Sequence, residues 1–290
     1  MTDSHAASSF ESDPVVLHAP RSPVGAMVFA SPHSGRVYSE DLTGWTRVNL
    51  QTLRRSEDAF VDALFADAPR FGAPLIEARF PRVFVDPNRA PDELDADMFD
   101  PPLRRGAGEP ESSRAAAGLG VIARLAADGR ALYTGRLPAA EAQRRLDRYY
   151  RPYHALVRRE LDAARARFGR ALLIDCHSMP SASARGADIV LGDRYGASCS
   201  RAVIAQAEAA FREQGFAVVR NRPYAGAFTT EHYGRPATGV EALQVEINRG
   251  LYLNELRVEK LNGFGAMKRA INVWIAAMSE LDGAARSAAE

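Results

Sequence analysis

Short apolar runs alternating with longer helical stretches restrict the fold of this chain more than any other feature. The runs at residues 26–30, 75–78, 83–85, 171–175, 189–191, 217–219 and 243–247 are strand-length and dominated by apolar side chains. Between them, residues 50–65, 139–168, 202–213 and 256–278 read as helices. Leu53, Phe60, Val61, Leu64 and Phe65 supply the apolar stripe of the first, with Glu57 and Asp58 as charged neighbours, and Gly169 is a natural stop for the second. This alternation predicts an α/β fold: a single domain with a central mixed, mostly parallel sheet flanked by helices. No internal repeat and no clean linker divides it, so residues 14–285 are expected to form one domain behind a frayed tail at residues 1–13. Residues 90–120 are rich in Pro, Gly, Asp, Glu and Ser without periodicity, and a loop of that length in a compact domain is functional or disordered.

Composition excludes several roles. With 37 Lys and Arg against 36 Asp and Glu, the formal net charge is +1, which gives no global field for a phosphate backbone or an anionic membrane. Nucleic acid is therefore not an expected partner. No window approaches the roughly 18 uninterrupted apolar residues of a membrane span, and the polar opening lacks the basic start and apolar core of a signal peptide. Cys176 and Cys199 form neither a spaced metal motif nor a disulfide framework. These features predict a cytoplasmic protein. G-x-S-x-G, G-x-x-x-x-G-K-[ST] and G-x-G-x-x-G elements do not occur, so serine-hydrolase, P-loop and dinucleotide readings lack support.

Three polar residues sit where an α/β sheet builds its sites, beyond or within the carboxyl ends of strands. His33 follows the run at 26–30 inside Ser31-Pro-His-Ser-Gly35, and His177 follows 171–175. Glu246 interrupts an otherwise apolar strand, where a carboxylate loses hydration unless it is paired or metal-associated. A catalytic zinc unites them, because it takes about three protein ligands and keeps one position open for water. His33 and His177 would supply two nitrogens, and Asp58 or Glu57 the carboxylate; on a helix these neighbours point about 100° apart, so only one ligates. Zinc lowers the pKa of its water toward about 7, which leaves Glu246 to take that proton and pass it to a leaving nitrogen. Asn88, Arg89, Arg136 and Arg194 follow strands or turns and are candidates for gripping a substrate carboxylate.

Taken in order, Ser31-Pro-His-Ser-Gly35, Asp86-Pro-Asn-Arg89, Tyr149-Tyr-Arg-Pro-Tyr-His154, Ile174-Asp-Cys-His-Ser178, Val190-Leu-Gly-Asp-Arg194, Tyr233-Gly-Arg-Pro236 and Leu243-Gln-Val-Glu-Ile247 resemble the N-formylglutamate amidohydrolase family. That family is similar in fold to the zinc carboxypeptidases. The resemblance implies zinc, or another divalent cation, on His33, His177 and a helical acidic residue, Asp58 rather than Glu57. It implies Glu246 as the catalytic glutamate and Asn88-Arg89 as the carboxylate-binding pair. The expected reaction is hydrolysis of N-formyl-L-glutamate to formate and glutamate, a step of histidine degradation. Another N-acyl amino acid amidohydrolase, a small carboxypeptidase and a non-catalytic metal-binding scaffold are the alternatives.

Overall fold

The computed structural model describes residues 13–104 and 112–287. Most of the expected tail and residues 105–111 of the long loop lie outside them. Seven strands form one sheet: β1 (Val15–His18), β2 (Met27–Ser31), β3 (Leu75–Ala78), β4 (Ala171–Met179), β5 (Ile189–Gly192), β6 (Val218–Arg220) and β7 (Val240–Asn248). Their order across the sheet is β1-β3-β2-β4-β7-β5-β6. The β1–β3 and β7–β5 pairs are antiparallel and the other four are parallel, so the sheet is mixed and mostly parallel, as the alternation predicted.

The two nine-residue strands β4 and β7 run side by side through the middle, and successive side chains point to opposite faces. Leu172, Ile174, Cys176, Leu243, Val245 and Ile247 enter one core. That core is closed by the helices Arg201–Arg212 and Phe264–Ser287, where Phe211 stacks on Trp274 at 5.0 Å. Ala171, Leu173 and Ala242 enter the opposite core, beneath the helix Arg151–Phe168, whose Tyr153, Val157, Leu161 and Ala164 recur at helical spacing. On that second face the strands change character toward their carboxyl ends: Asp175, His177, Gln244 and Glu246 replace the apolar residues. The polar half of this face is the floor of the site. No helix of the described residues is long and apolar enough to cross a membrane.

Three expectations need correction. The helix expected at 50–65 is two short helices, Leu50–Arg54 and Val61–Phe65, separated by a break that holds Glu57 and Asp58. The break has tertiary causes: the Asp58 amide donates to the His33 carbonyl at 3.0 Å, and the Asp62 amide donates to the Ser34 hydroxyl at 3.0 Å. Phe60 between them adopts φ 64°. Residues 83–85 form a turn rather than a strand, closed by the Phe84 amide on the Pro81 carbonyl at 2.9 Å. The last helix starts at Phe264 instead of 256, because Leu253–Asn254 and Glu259–Lys260 pair as a small antiparallel ribbon.

The long helix expected at 139–168 is present but not uniform. Ala140–Arg145 is α-helical, Leu146–Tyr150 is π-helical, and Arg151–Phe168 resumes the α-helix. Pro152 explains the change of pitch: it has no amide proton for the preceding turn and its ring crowds the carbonyl four residues back, so that turn widens.

Candidate metal centre and active site

Three elements converge at the carboxyl ends of β2 and β4. The turn after β2 places His33, β4 carries His177, and the break between the two short helices swings Asp58 over both. Their ligand-capable atoms lie within 4.8 Å of one another and all three residues are buried. Asp58 Oδ2 is 2.9 Å from His177 Nδ1 and 3.3 Å from His33 Nδ1. Glu57, the alternative, turns away: its Oε1 accepts from the Tyr38 hydroxyl at 2.9 Å and from Arg54 Nε at 3.1 Å.

The far nitrogen of each ring also faces a carboxylate. His33 Nε2 is 2.7 Å from Asp86 Oδ1, and His177 Nε2 is 2.9 Å from Asp175 Oδ2. Each ring has a carboxylate at both nitrogens, so the contacts alone do not choose its tautomer; a cation among the two Nδ1 atoms and Asp58 Oδ2 would place both protons on Nε2, where Asp86 and Asp175 accept them. Two imidazole nitrogens and one carboxylate oxygen, each imidazole backed by a carboxylate at its far nitrogen, are a donor set suited to a divalent transition metal. Arg249 Nη2 donates to the other oxygen, Asp58 Oδ1, at 2.8 Å, which keeps Oδ2 turned toward the histidines. Burial opposes the charge on Asp58, yet its bonds to His177 and His33 hold the carboxyl well below the usual carboxylate range.

Glu246 stands in register with His177 on the neighbouring parallel strand, on the same face of the sheet. Burial pushes its carboxyl up to about 7; the Asp58 charge adds to the rise while His177 opposes it. Gln244, two residues back on that face, donates from Nε2 to Glu246 Oε1 at 2.9 Å and fixes the rotamer. A carboxyl group poised near neutrality and held by a neutral donor can both take and return a proton.

His33, Asp58, His177 and Glu246 all open into one cavity of about 590 Å³. Arg55, Arg82, Arg89, Arg114 and Arg249 also line it, so a positive rim surrounds an acidic and imidazole floor. Of the residues the sequence suggested for substrate binding, Asn88 and Arg89 reach the cavity and the other two do not. Arg194 pairs with Glu231 at 2.8 Å, and Arg136 is exposed; neither is among the lining residues. Asn88 is not free to grip a ligand, since its Oδ1 accepts the Thr229 amide at 2.8 Å and its Nδ2 donates to Asp175 Oδ2 at 3.3 Å. Arg89 is anchored on main-chain carbonyls, Nη1 to Asn88 at 2.8 Å and Nε to Leu119 at 3.1 Å. Arg82 bridges Asp86 at 2.8 Å and lies 3.8 Å from Asp58.

Asp86, Asp175, Gln244, Arg82 and Arg249 were not read as site residues from the sequence. A signal existed for two of them: Asp175 and Gln244 lie two residues before His177 and Glu246, and period-two alternation puts each pair on one face. Arg82 sits in a turn and Arg249 opens a short 3-10 helix, and no local spacing announces where they reach.

The matches to known proteins agree with this geometry. Residues 25–253 match the family model described as N-formylglutamate amidohydrolase. The chain belongs to the N-formylglutamate amidohydrolase family. The N-formylglutamate deformylase of Pseudomonas putida is 30% identical over 237 residues, covering 79% of this chain and 82% of that protein. The deformylase of Pseudomonas aeruginosa is 34% identical over 206 residues, covering 68% and 71%. A crystal structure of N-formylglutamate amidohydrolase from Ralstonia eutropha JMP134 superposes with a TM-score of 0.88 at 35% identity, covering 94% of this chain and 99% of that one. Members of this family are hydrolases of an amide C–N bond, and this chain is such an enzyme.

The choice between the two acidic neighbours is testable. In protein loaded with zinc, Asp58→Ala is expected to lower the retained zinc more than Glu57→Ala does. Elemental analysis giving the reverse order would move the ligand to Glu57.

Proposed function

We propose that this chain hydrolyses N-formyl-L-glutamate to formate and L-glutamate, with zinc or another divalent cation on His33, Asp58 and His177, as a step of histidine degradation. The observation that carries the proposal is the buried His33–Asp58–His177 group with Glu246 in register beside it, facing an arginine-rimmed cavity. The names of the relatives supply the acyl group and the amino acid.

A divalent cation held there polarises a carbonyl oxygen and makes a nearby water acidic. Glu246 accepts the proton of the water that attacks the formyl carbon. The carbon–nitrogen bond then breaks, and Glu246 returns the proton to the amine as it leaves, so the carboxylate ends the cycle as it began. Asp86 and Asp175 hold the two imidazoles in the tautomer that leaves Nδ1 free. The arginines at the rim offset the charge of a dicarboxylate substrate, which would otherwise be repelled by Asp58 and Glu246.

The test is a panel of N-formyl, N-acetyl and peptide derivatives of Glu, Asp and Gln assayed with zinc-loaded protein. Clear preference for N-formylglutamate supports the proposal. Preference for a larger acyl group or for a peptide would assign the site to another N-acyl amino acid or a carboxypeptidase, and no turnover of any would leave a metal-binding scaffold.

Arg89→Lys examines the carboxylate end. Lysine keeps the charge but loses the planar guanidinium and its two carbonyl anchors. A charge-assisted hydrogen bond contributes about 1.5–3 kcal/mol, so KM for N-formylglutamate is expected to rise roughly 10-fold or more. An N-formyl amine without carboxylates should be affected much less. Equal losses for both would make Arg89 a purely structural residue.

A further inference from the structure

Two of the sequence motifs, Tyr149-Tyr-Arg-Pro-Tyr-His154 and Tyr233-Gly-Arg-Pro236, have no role in the chemistry described so far, yet both reach the site from behind. The loop Asp86-Pro-Asn-Arg89 carries a partner for each histidine: Asp86 bonds His33 directly, and Asn88 bonds Asp175, which bonds His177. Its own fold is set partly from within, since the Asn88 amide donates to Asp86 Oδ1 at 2.8 Å. Outside the loop, Thr229 holds the Asn88 side chain, Arg82 the Asp86 carboxylate and the Val121 carbonyl the Asp86 amide, and two further restraints on its main chain come from the long helix. The Tyr150 hydroxyl donates to the Arg89 carbonyl at 2.8 Å, and His154 Nε2 lies 2.9 Å from the Pro87 carbonyl. Tyr150 and His154 are four residues apart where the π-helical stretch meets the α-helix, so they share one face, with ring centroids 4.3 Å apart.

We propose that His154, oriented by Tyr233 and paired with Tyr150, is a positioning residue that clamps the 86–89 loop and through it both metal-ligating histidines and Arg89. The hydrogen-bond roles are determined. A carbonyl only accepts, so Nε2 of His154 carries the proton and donates to Pro87. Burial pushes the His154 pKa down to about 3, which keeps the ring neutral and leaves Nδ1 an acceptor. The Tyr233 hydroxyl lies 2.8 Å from Nδ1 and 3.2 Å from the His154 carbonyl, and its one proton, shared between these acceptors, supports that tautomer. Phe228 and Tyr233, with ring centroids 5.6 and 5.9 Å away, wall the imidazole in, so the donor has one direction available.

The role of the clamp in turnover rests on the reading of the reaction above, whereas its role in metal binding does not. Three variants separate it from simple packing. His154→Leu removes both polar contacts. His154→Gln presents an amide N–H near the former Nε2 position, toward Pro87, and His154→Asn keeps only a polar group near Nδ1, toward Tyr233. Outer partners of metal ligands change affinity by about 10–100-fold. His154 lies one contact beyond those partners, so His154→Leu is expected to weaken zinc binding, measured by competition with a chelator, by about 10-fold, the lower end of that range, and to raise KM for N-formylglutamate more than it lowers kcat. His154→Gln should recover most of both losses and His154→Asn little of either. The proposal is overturned if His154→Leu binds zinc as tightly as wild type, or if the Gln and Asn variants are equally impaired at matched thermal midpoints. If the wild-type protein does not turn over N-formylglutamate, the proposed reaction fails, and the zinc competition still decides the clamp.

Discussion

Glu246→Gln is expected to lower kcat by on the order of 10² or more while leaving zinc content and substrate binding near wild type, the usual scale for a lost general base. Glutamine keeps the shape of the side chain and its contact with Gln244, but it neither accepts a proton from water nor returns one to nitrogen. Substitution also removes a carboxyl group that burial makes costly to ionise, so the folded protein should lose no stability, and a small gain in thermal midpoint is the expected direction. The pairing of a large kinetic loss with unchanged or raised stability is what distinguishes a catalytic group from a structural one. Turnover within a few-fold of wild type would assign the proton transfer to another residue.

Removing an imidazole should act on the metal first. His177→Ala is expected to leave under a tenth of the wild-type zinc and to cost about 10³-fold or more in turnover, since a Lewis acid in such a site is worth several kcal/mol of transition-state charge. His33→Ala should behave alike. Both variants also leave carboxylates behind: without His177, Asp58 and Asp175 lose a shared partner while remaining buried. Leaving a buried charge without its partner costs about 3–5 kcal/mol, so a lower thermal midpoint accompanies the metal loss. Metal content is therefore read at a temperature where circular dichroism shows the variant still folded. Full zinc occupancy in folded His177→Ala protein would remove that residue from the site.

The class of the fold was legible from local patterns because strands and helices differ in length and period. The buried runs at 171–175 and 243–247 lack any exposed alternation over most of their length, as central strands of a helix-covered sheet do. His33 and His177 were legible for a related reason: sites in such sheets form past strand ends, and a histidine there beside serine is conspicuous. Where the reading failed, the deciding contact came from far along the chain. Residues 50–65 have the composition of one helix, yet hydrogen bonds to His33 and Ser34 split it. That split is what lets Asp58 face the histidines while Glu57 faces Tyr38 and Arg54.

Sequence alone determined the alternating architecture, the two histidines, the odd carboxylate at Glu246 and, through its ordered motifs, the family. Those properties are carried by residue type and short spacing, which the chain displays before it folds. Tertiary structure alone decided which acidic neighbour faces the two histidines, which arginines line the cavity, and that the Asn88 side chain bridges Thr229 and Asp175. Arg249 meets Asp58 across 191 positions and Asn88 meets Thr229 across 141, separations at which no periodicity links the partners. Only the closure of the sheet, with its helices packed over one polar face, brings those groups within hydrogen-bonding distance.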